Sequence, residues 1–350
     1  MFQLRRRVGG RRLRGLLLFP ILGILLAVSV VCTIRVGSTD IPAGEVFGIL
    51  WDRIFLGGRG LAKGAWNMSH FQIVWNIRLP RVLFAVICGA GLSVCGAAMQ
   101  ALVLNPIADP YILGISSGAS AGAAWALLMP LPFFAGQYQT TAAAFLGAMV
   151  SALAVYTMAR AAGGGKLSPV PLLLAGTAVN AVMSAVTSFL IFLAKSPESI
   201  AAAQWRTLLL PAVGTLAGTV IFTCAGRSFN ILMMGDEDAA ALGLGVRTFR
   251  PLMLLISSGV VASLVSVTGI IGFVGLVVPH AARILAGTDD NRLTIPLSAL
   301  LGGIYLSWAD ALARSAFGAA ELPLGIVTAF AGAPFFLYLL IRNGYGRRME

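Results

Sequence analysis

The sequence predicts an all-α integral membrane protein, and three observations carry that expectation. The chain of 350 residues is 58% hydrophobic and only 11% charged, more apolar surface than one water-soluble core can hide, whereas a bilayer accepts it as exterior. Its apolar residues fall in long uncharged runs, and a helix needs roughly 20 residues at 1.5 Å each to cross about 30 Å of hydrocarbon. The runs are apolar throughout, without the alternation that the strands of a closed barrel would show.

Taken in order, the uncharged runs cover 15 to 34, 82 to 108, 110 to 159, 167 to 194, 207 to 226, 251 to 282, 293 to 309 and 322 to 341. The run 110 to 159 holds two spans, with a turn over Met129-Pro130-Leu131-Pro132 and the polar Gly136-Gln137-Tyr138-Gln139. The run that opens at Pro251 also has room for two spans if Gly269-Ile270-Ile271-Gly272 turns tightly. Ten transmembrane helices result, forming a single transmembrane domain over 1–350. An even number places both termini on one side. With that side cytoplasmic, 16 of the 25 Lys and Arg lie inside and 9 outside, in keeping with the positive-inside rule.

The basic start, residues 1–14, therefore reads as a topology signal ahead of span one. A cleaved signal peptide is the rival, but the apolar run is long and no clear small-residue cleavage site follows it. The net charge of +12 fits attraction to anionic membrane lipid, and no nucleic-acid module accompanies it. Between spans, the sizeable segments are 37–78, external and part helical, and 227–250, cytoplasmic and mixed in charge. Gly114, Gly118 and Gly122 stand four apart, a stripe on which helix backbones can approach closely.

Three blocks carry functional information. The first runs Arg78-Leu79-Pro80-Arg81, Gly96-Ala97-Ala98-Met99-Gln100, Asn105-Pro106-Ile107-Ala108-Asp109-Pro110 and Leu113-Gly114-Ile115-Ser116-Ser117-Gly118. The second is Gly235-Asp236-Glu237-Asp238-Ala239-Ala240-Ala241-Leu242-Gly243, a short helix with its carboxylates at the end the helix dipole favours. The third runs from Gly272-Phe273-Val274-Gly275 through Pro279-His280, Arg283, Asp310 and Arg314 to Glu321-Leu322-Pro323-Leu324-Gly325 and Gly332-Ala333-Pro334. Arg78, Arg81 and Arg314 fall at the external ends of spans two and nine, against the inside bias. Snorkelling, or a helical pair between Arg314 and Asp310, accounts for them without any partner.

These blocks, in this order and spacing, resemble the binding-protein-dependent permeases of bacterial ATP-binding-cassette importers for iron-siderophore, haem and cobalamin cargo, with the type II importer permease fold. The resemblance implies a multi-pass protein of the bacterial inner membrane. It implies two ATPase subunits as partners, coupled through Gly235, Asp236, Glu237, Ala240, Leu242 and Gly243. It implies an extracytoplasmic substrate-binding protein docked on Arg78, Arg81 and Arg314, since arginine suits bidentate pairing with carboxylates. A cytoplasmic gate is implied at Asn105, Pro106 and Ile107 with Pro169 and Val170, where Pro106 would stop span two. A second copy of the chain would complete a homodimer. Relatives carry an aromatic and Gly-rich stretch where Lys195-Ser196-Pro197-Glu198-Ser199 here runs almost directly into Gln204-Trp205-Arg206, so the stretch reads as shortened.

No GxxxxGK[ST] loop is present, and Gly163-Gly164-Gly165-Lys166 fails both its spacing and its final hydroxyl. ATP and Mg therefore belong on the partner ATPase, and this chain is expected to bind no cofactor and to have no catalytic residues. His70, in the external loop, and His280, at the start of span eight, read as hydrogen-bonded structure and the four cysteines as buried thiols without metal-ligand spacing, so no metal is expected. An ion-coupled secondary transporter is the alternative, but spans two to eight offer almost none of the embedded ionisable groups it needs. Membrane-embedded catalysis lacks a carboxylate pair, His-Glu motif or Ser/Lys dyad.

Overall fold

The computed structural model describes residues 2–37, 39, 41–57, 60, 66–106, 108–129, 137–162, 167, 169–194, 205–268, 271–315, 324–325, 327–332 and 334. All regular structure among them is helical. The long helices are α1 (Phe2–Arg35), α3 (Met68–Leu102), α5 (Gln137–Ala162), α6 (Pro169–Ala194), α10 (Val246–Thr268) and α12 (Asn291–Ser315). Shorter ones are α2 (Ala43–Phe55), α4 (Ile115–Leu128), α7 (Leu209–Cys224), α8 (Gly226–Leu232), α9 (Asp236–Ala241) and α11 (Val274–Ala286). Five helices among the described residues are long and apolar enough to cross a membrane, and α7 with α8, bent by 59°, makes a sixth. Described helix lies in each of the ten expected spans.

Helix α3 is the axis of the bundle. It packs on α12, α11, α7 and α10, while α4, α5 and α6 form a second group that α10 joins to it. Glycine makes these contacts close. A Cβ on Gly89 would stand 2.0 Å from the Gly302 carbonyl of α12, and one on Gly96 would stand 1.9 Å from the Gly275 carbonyl of α11. The stripe expected at 118 and 122 works likewise, with Gly118 against Gly147 and Gly122 against Ala143 of α5. Gly89→Ala should therefore cost about 1–3 kcal/mol through overpacking, read as a lower melting temperature in detergent. Gly259→Ala, where a Cβ meets nothing within 4 Å, is the control and should not lower it.

Leu92, Met99, Leu102, Ile115, Phe222 and Leu264 are fully buried between these helices. The outside is apolar as well: Leu209, Val213, Leu216 and Val220 of α7 are exposed at helical spacing, as are Leu146, Val150 and Leu153 of α5. Such stripes suit lipid rather than water.

Four local expectations change. Helix α3 ends at Leu102, before Pro106, because Leu104 takes a left-handed φ of 55° and turns the chain first. Gln137 to Gln139 open α5 rather than forming the turn, and the Gln139 side chain donates back to the Ala126 carbonyl of α4 at 2.8 Å. His280 lies midway along α11, not at its start. Of the four cysteines, Cys88 and Cys95 are buried but Cys32 and Cys224 are exposed, since they sit on outward faces of apolar helices.

Ile107, Gly163 to Lys166, Lys195 to Gln204 and Glu321 to Pro323 lie outside the described residues, as do most positions beyond Ser315. The side chains of Pro169 and Val170, which open α6, are likewise outside the description.

Candidate functional site

The candidate side chains gather at the two ends of the bundle. At the first, Arg78, Arg81 and Arg314 converge where α1 terminates. The last carbonyls of a helix have no partner within it and carry the negative end of its dipole, so they attract cations. Arg78 Nη1 donates to the carbonyls of Ile34 and Arg35, at 3.2 and 2.9 Å, and its Nη2 donates to that of Thr39 at 2.6 Å. Arg314 Nη2 donates to the Thr33 carbonyl at 3.0 Å and its Nη1 to that of Val36 at 2.9 Å. Gly37 lets the chain close over Arg78, for a Cβ there would stand 2.6 Å from Nη2.

Asp310 of α12 joins the group. Its Oδ2 accepts from Arg314 Nε and its Oδ1 from Arg81 Nε, both at 2.9 Å. The helical pair weighed for Arg314 is thus present, but Arg81 shares it. The three arginines are not equivalent: the Arg81 side chain is 27% exposed, the Arg314 side chain 5%, and Arg78 as a residue 4%. Their role is therefore divided. Arg78 and Arg314 clamp the end of α1 to α3 and α12, and Arg81 offers charge at the surface. Arg81 and Arg314 share the Asp310 carboxylate, while the described bonds of Arg78 go to backbone carbonyls.

At the opposite end lies the 235–243 segment. Gly235 has φ 112° and ψ 161°, a conformation L side chains avoid, and it sends the chain into α9. Gly243, at φ 86°, closes that helix: its amide donates to the Ala240 carbonyl and the Leu244 amide to that of Ala239, both at 3.0 Å. Ala239 is buried and anchors α9, while Glu237, Asp238, Ala240 and Leu242 are exposed. Leu242, Met233 and Met234 add an apolar patch, each 44% or more exposed. Asp236 is half-exposed as well, but its carboxylate is engaged within the chain. Its carboxylate takes a bidentate pair from Arg250, with Nη2 to Oδ1 at 2.7 Å and Nη1 to Oδ2 at 2.9 Å.

A cavity of about 450 Å³ adjoins this segment, lined by Gln100, Leu104, Asn105, Pro106, Met233 and Arg283 among others. Arg283 Nη2 donates to Gln100 Oε1 at 2.6 Å, and Gln100 Nε2 reaches the carbonyls of Gly275 and Leu276 at 3.3 and 3.4 Å. Asn105 is held by its backbone, its amide donating to the Gln100 carbonyl at 3.1 Å. Asn105 and Pro106 thus border this cavity, which Met233 connects to the α8–α9 segment.

Asn230 ties α8 to α12. Its Nδ2 donates to Asp290 Oδ1 at 2.7 Å, and its Oδ1 accepts from the Asn291 amide at 2.8 Å. The Arg292 guanidinium beside Asp290 holds that carboxyl below its ordinary 3.8, at about 2. A depressed folded value means stability that is present above pH 3.8 and lost as pH falls toward 2. The melting difference between the native chain and Asp290→Asn should therefore be visible near neutrality and vanish in that window.

Among the described residues there is no cluster of three or more His, Cys, Asp and Glu able to hold a metal. His70 Nδ1 instead meets Glu45 Oε2 at 2.8 Å, joining α2 to α3.

The model of the FecCD transport family matches residues 25–342. The hemin transport system permease protein HmuU of Yersinia pestis is 39% identical over 294 residues, 79% of this chain and 87% of that one. The cobalamin import system permease protein BtuC of Halobacterium salinarum is 41% identical over 279 residues, 77% and 73% of the two chains. The uncharacterized ABC transporter permease YvrB of Bacillus subtilis is 38% identical over 333 residues, 92% and 93%. A solved inward-facing metal-chelate-type ABC transporter superposes with a TM-score of 0.74 at 27% identity, over 91% of this chain and 97% of that one. This chain belongs to the FecCD transport family.

Proposed function

We propose that this permease imports an iron-siderophore, haem or cobalamin-type cargo, handed to it by a substrate-binding protein at the Arg81 end and moved at the expense of ATP hydrolysed by two partner ATPase subunits. The observation that carries the reading is the 235–243 segment. Its helix is bracketed by two glycines and presents Glu237, Asp238, Ala240 and Leu242 outward beside Met233 and Met234. A small rigid knob with an apolar centre and an acidic rim suits a cleft in another protein. Two copies of the chain would enclose the path, with both termini on the ATPase side in the bacterial inner membrane. The cavity beside Asn105 and Pro106, together with Pro169, Val170 and Ile107, would form the gate.

Hemin and cobalamin enter as candidates because relatives carry those names. The ion-coupled alternative gains no specific support. The test is reconstitution of the chain with its ATPase and binding protein in liposomes, offered hemin, cyanocobalamin and a ferric hydroxamate in turn. One of the three should accumulate only with ATP and both partners. Accumulation by the chain alone, driven by an ion gradient, would overturn the proposal.

A further inference from the structure

Arg250 lies outside the 235–243 segment, opposite Asp236, and is 2% exposed. It is the last basic residue before the uncharged stretch of α10. Its guanidinium bonds two separate parts of the chain. Both terminal nitrogens hold the Asp236 carboxylate at the first turn of α9, and Nη1 also donates to the Leu167 carbonyl at 2.8 Å. Leu167 stands two positions before Pro169, where α6 begins and where the proposed gate residues Pro169 and Val170 lie. One planar cation therefore joins the exposed knob, the base of α10 and the entry to α6.

We infer that Arg250 is the positioning residue that transmits displacement of α9 to the start of α6, so that movement of the knob by an ATPase subunit reaches the gate. The inference rests on the coupling-segment and gate assignments proposed above. Geometry and burial argue for transmission over mere charge balance. Asp236 is half exposed, so water could hydrate its carboxylate without help, whereas the Arg250 side chain is 3% exposed and depends on these acceptors. A bidentate pair also fixes orientation as well as distance, which a single point charge would not. Among the described residues Nε of Arg250 is buried without a hydrogen-bond partner, so the guanidinium is held through its terminal nitrogens alone. A shift of Asp236 is then passed directly to the Leu167 carbonyl through Nη1.

The experiment needs no knowledge of the cargo. A chain carrying Cys32→Ser, Cys224→Ser and Val170→Cys is assembled with its ATPase in nanodiscs. Maleimide labelling at position 170 is followed without nucleotide and with vanadate-trapped ATP. With Arg250 intact, the two labelling rates should differ. Adding Arg250→Lys, which keeps charge but cannot hold both Asp236 oxygens and the Leu167 carbonyl, should shrink the difference about tenfold while ATP hydrolysis and subunit assembly persist. Arg250→Met should abolish the difference. If the difference survives Arg250→Met in an assembled, hydrolysing complex, the inference is overturned. If Arg250-intact chains show no difference, the gate assignment at 170 fails and takes the inference with it. Glu237→Arg separates the remaining dependence, because an ATPase that still binds this variant with native affinity would sink the coupling-segment assignment itself.

Discussion

Asp310→Ala is expected to destabilise the chain by about 3–5 kcal/mol, the cost of leaving a buried arginine without its counter-charge. The Arg314 side chain is 5% exposed and Asp310 4%, so no water replaces the lost carboxylate. Arg314 would keep the Thr33 and Val36 carbonyls, but its Nε and the Nε of Arg81 would both lose the Asp310 carboxylate. The clamp between α1, α3 and α12 loosens as a unit. Thermal melting in detergent reads the effect directly, and Asp310→Asn, which keeps one oxygen acceptor, should fall between the alanine variant and the native chain. Native-like melting of Asp310→Ala would show that the carboxylate is dispensable.

Arg81→Gln is the second large effect, on binding rather than folding. Reversing Arg78 is an unsuitable test of docking, because that guanidinium is buried on three backbone carbonyls and its loss is a folding lesion. Arg81 keeps a quarter of its side chain in the open while Asp310 fixes its Nε, which holds its charge at the surface of this end. Losing one side of an interfacial charge pair costs about 2 kcal/mol or more, roughly 30-fold in affinity. Titrating the binding protein onto nanodisc-held complex at low salt measures it. Insertion and ATPase assembly should be unchanged, and an unaltered affinity would remove Arg81 from the proposed interface.

Much of the architecture was legible because lipid demands long uncharged helices and little else produces them. Asp236, Glu237 and Asp238 announced the N-terminal end of the short helix, and the 118 and 122 stripe announced close packing. What sequence could not reveal was which distant groups share a partner. Asp310 and Arg314 stand four apart and suggest a pair, yet nothing in their spacing brings Arg81 of α3 into it. Arg250 looks like an ordinary inside-facing cation, and its bonds to Asp236 and Leu167 exist only once three segments are folded together. Gln100 and Arg283 lie 183 positions apart and meet across α3 and α11. Pro106 misled for a local reason: a left-handed residue two positions earlier had already ended the helix.

Gly235 and Gly243 have one further consequence. Both take backbone angles that set a sharp bend at each end of the six-residue helix, so a push on its surface acts on a short separate segment and tends to turn it as well as shift it. The described side-chain tether against such turning is the Asp236 carboxylate, gripped off-axis by Arg250. The two glycines therefore make a linkage whose mechanical output is set by where that single grip is placed, and a carboxylate moved one position to Glu237 would point the lever elsewhere.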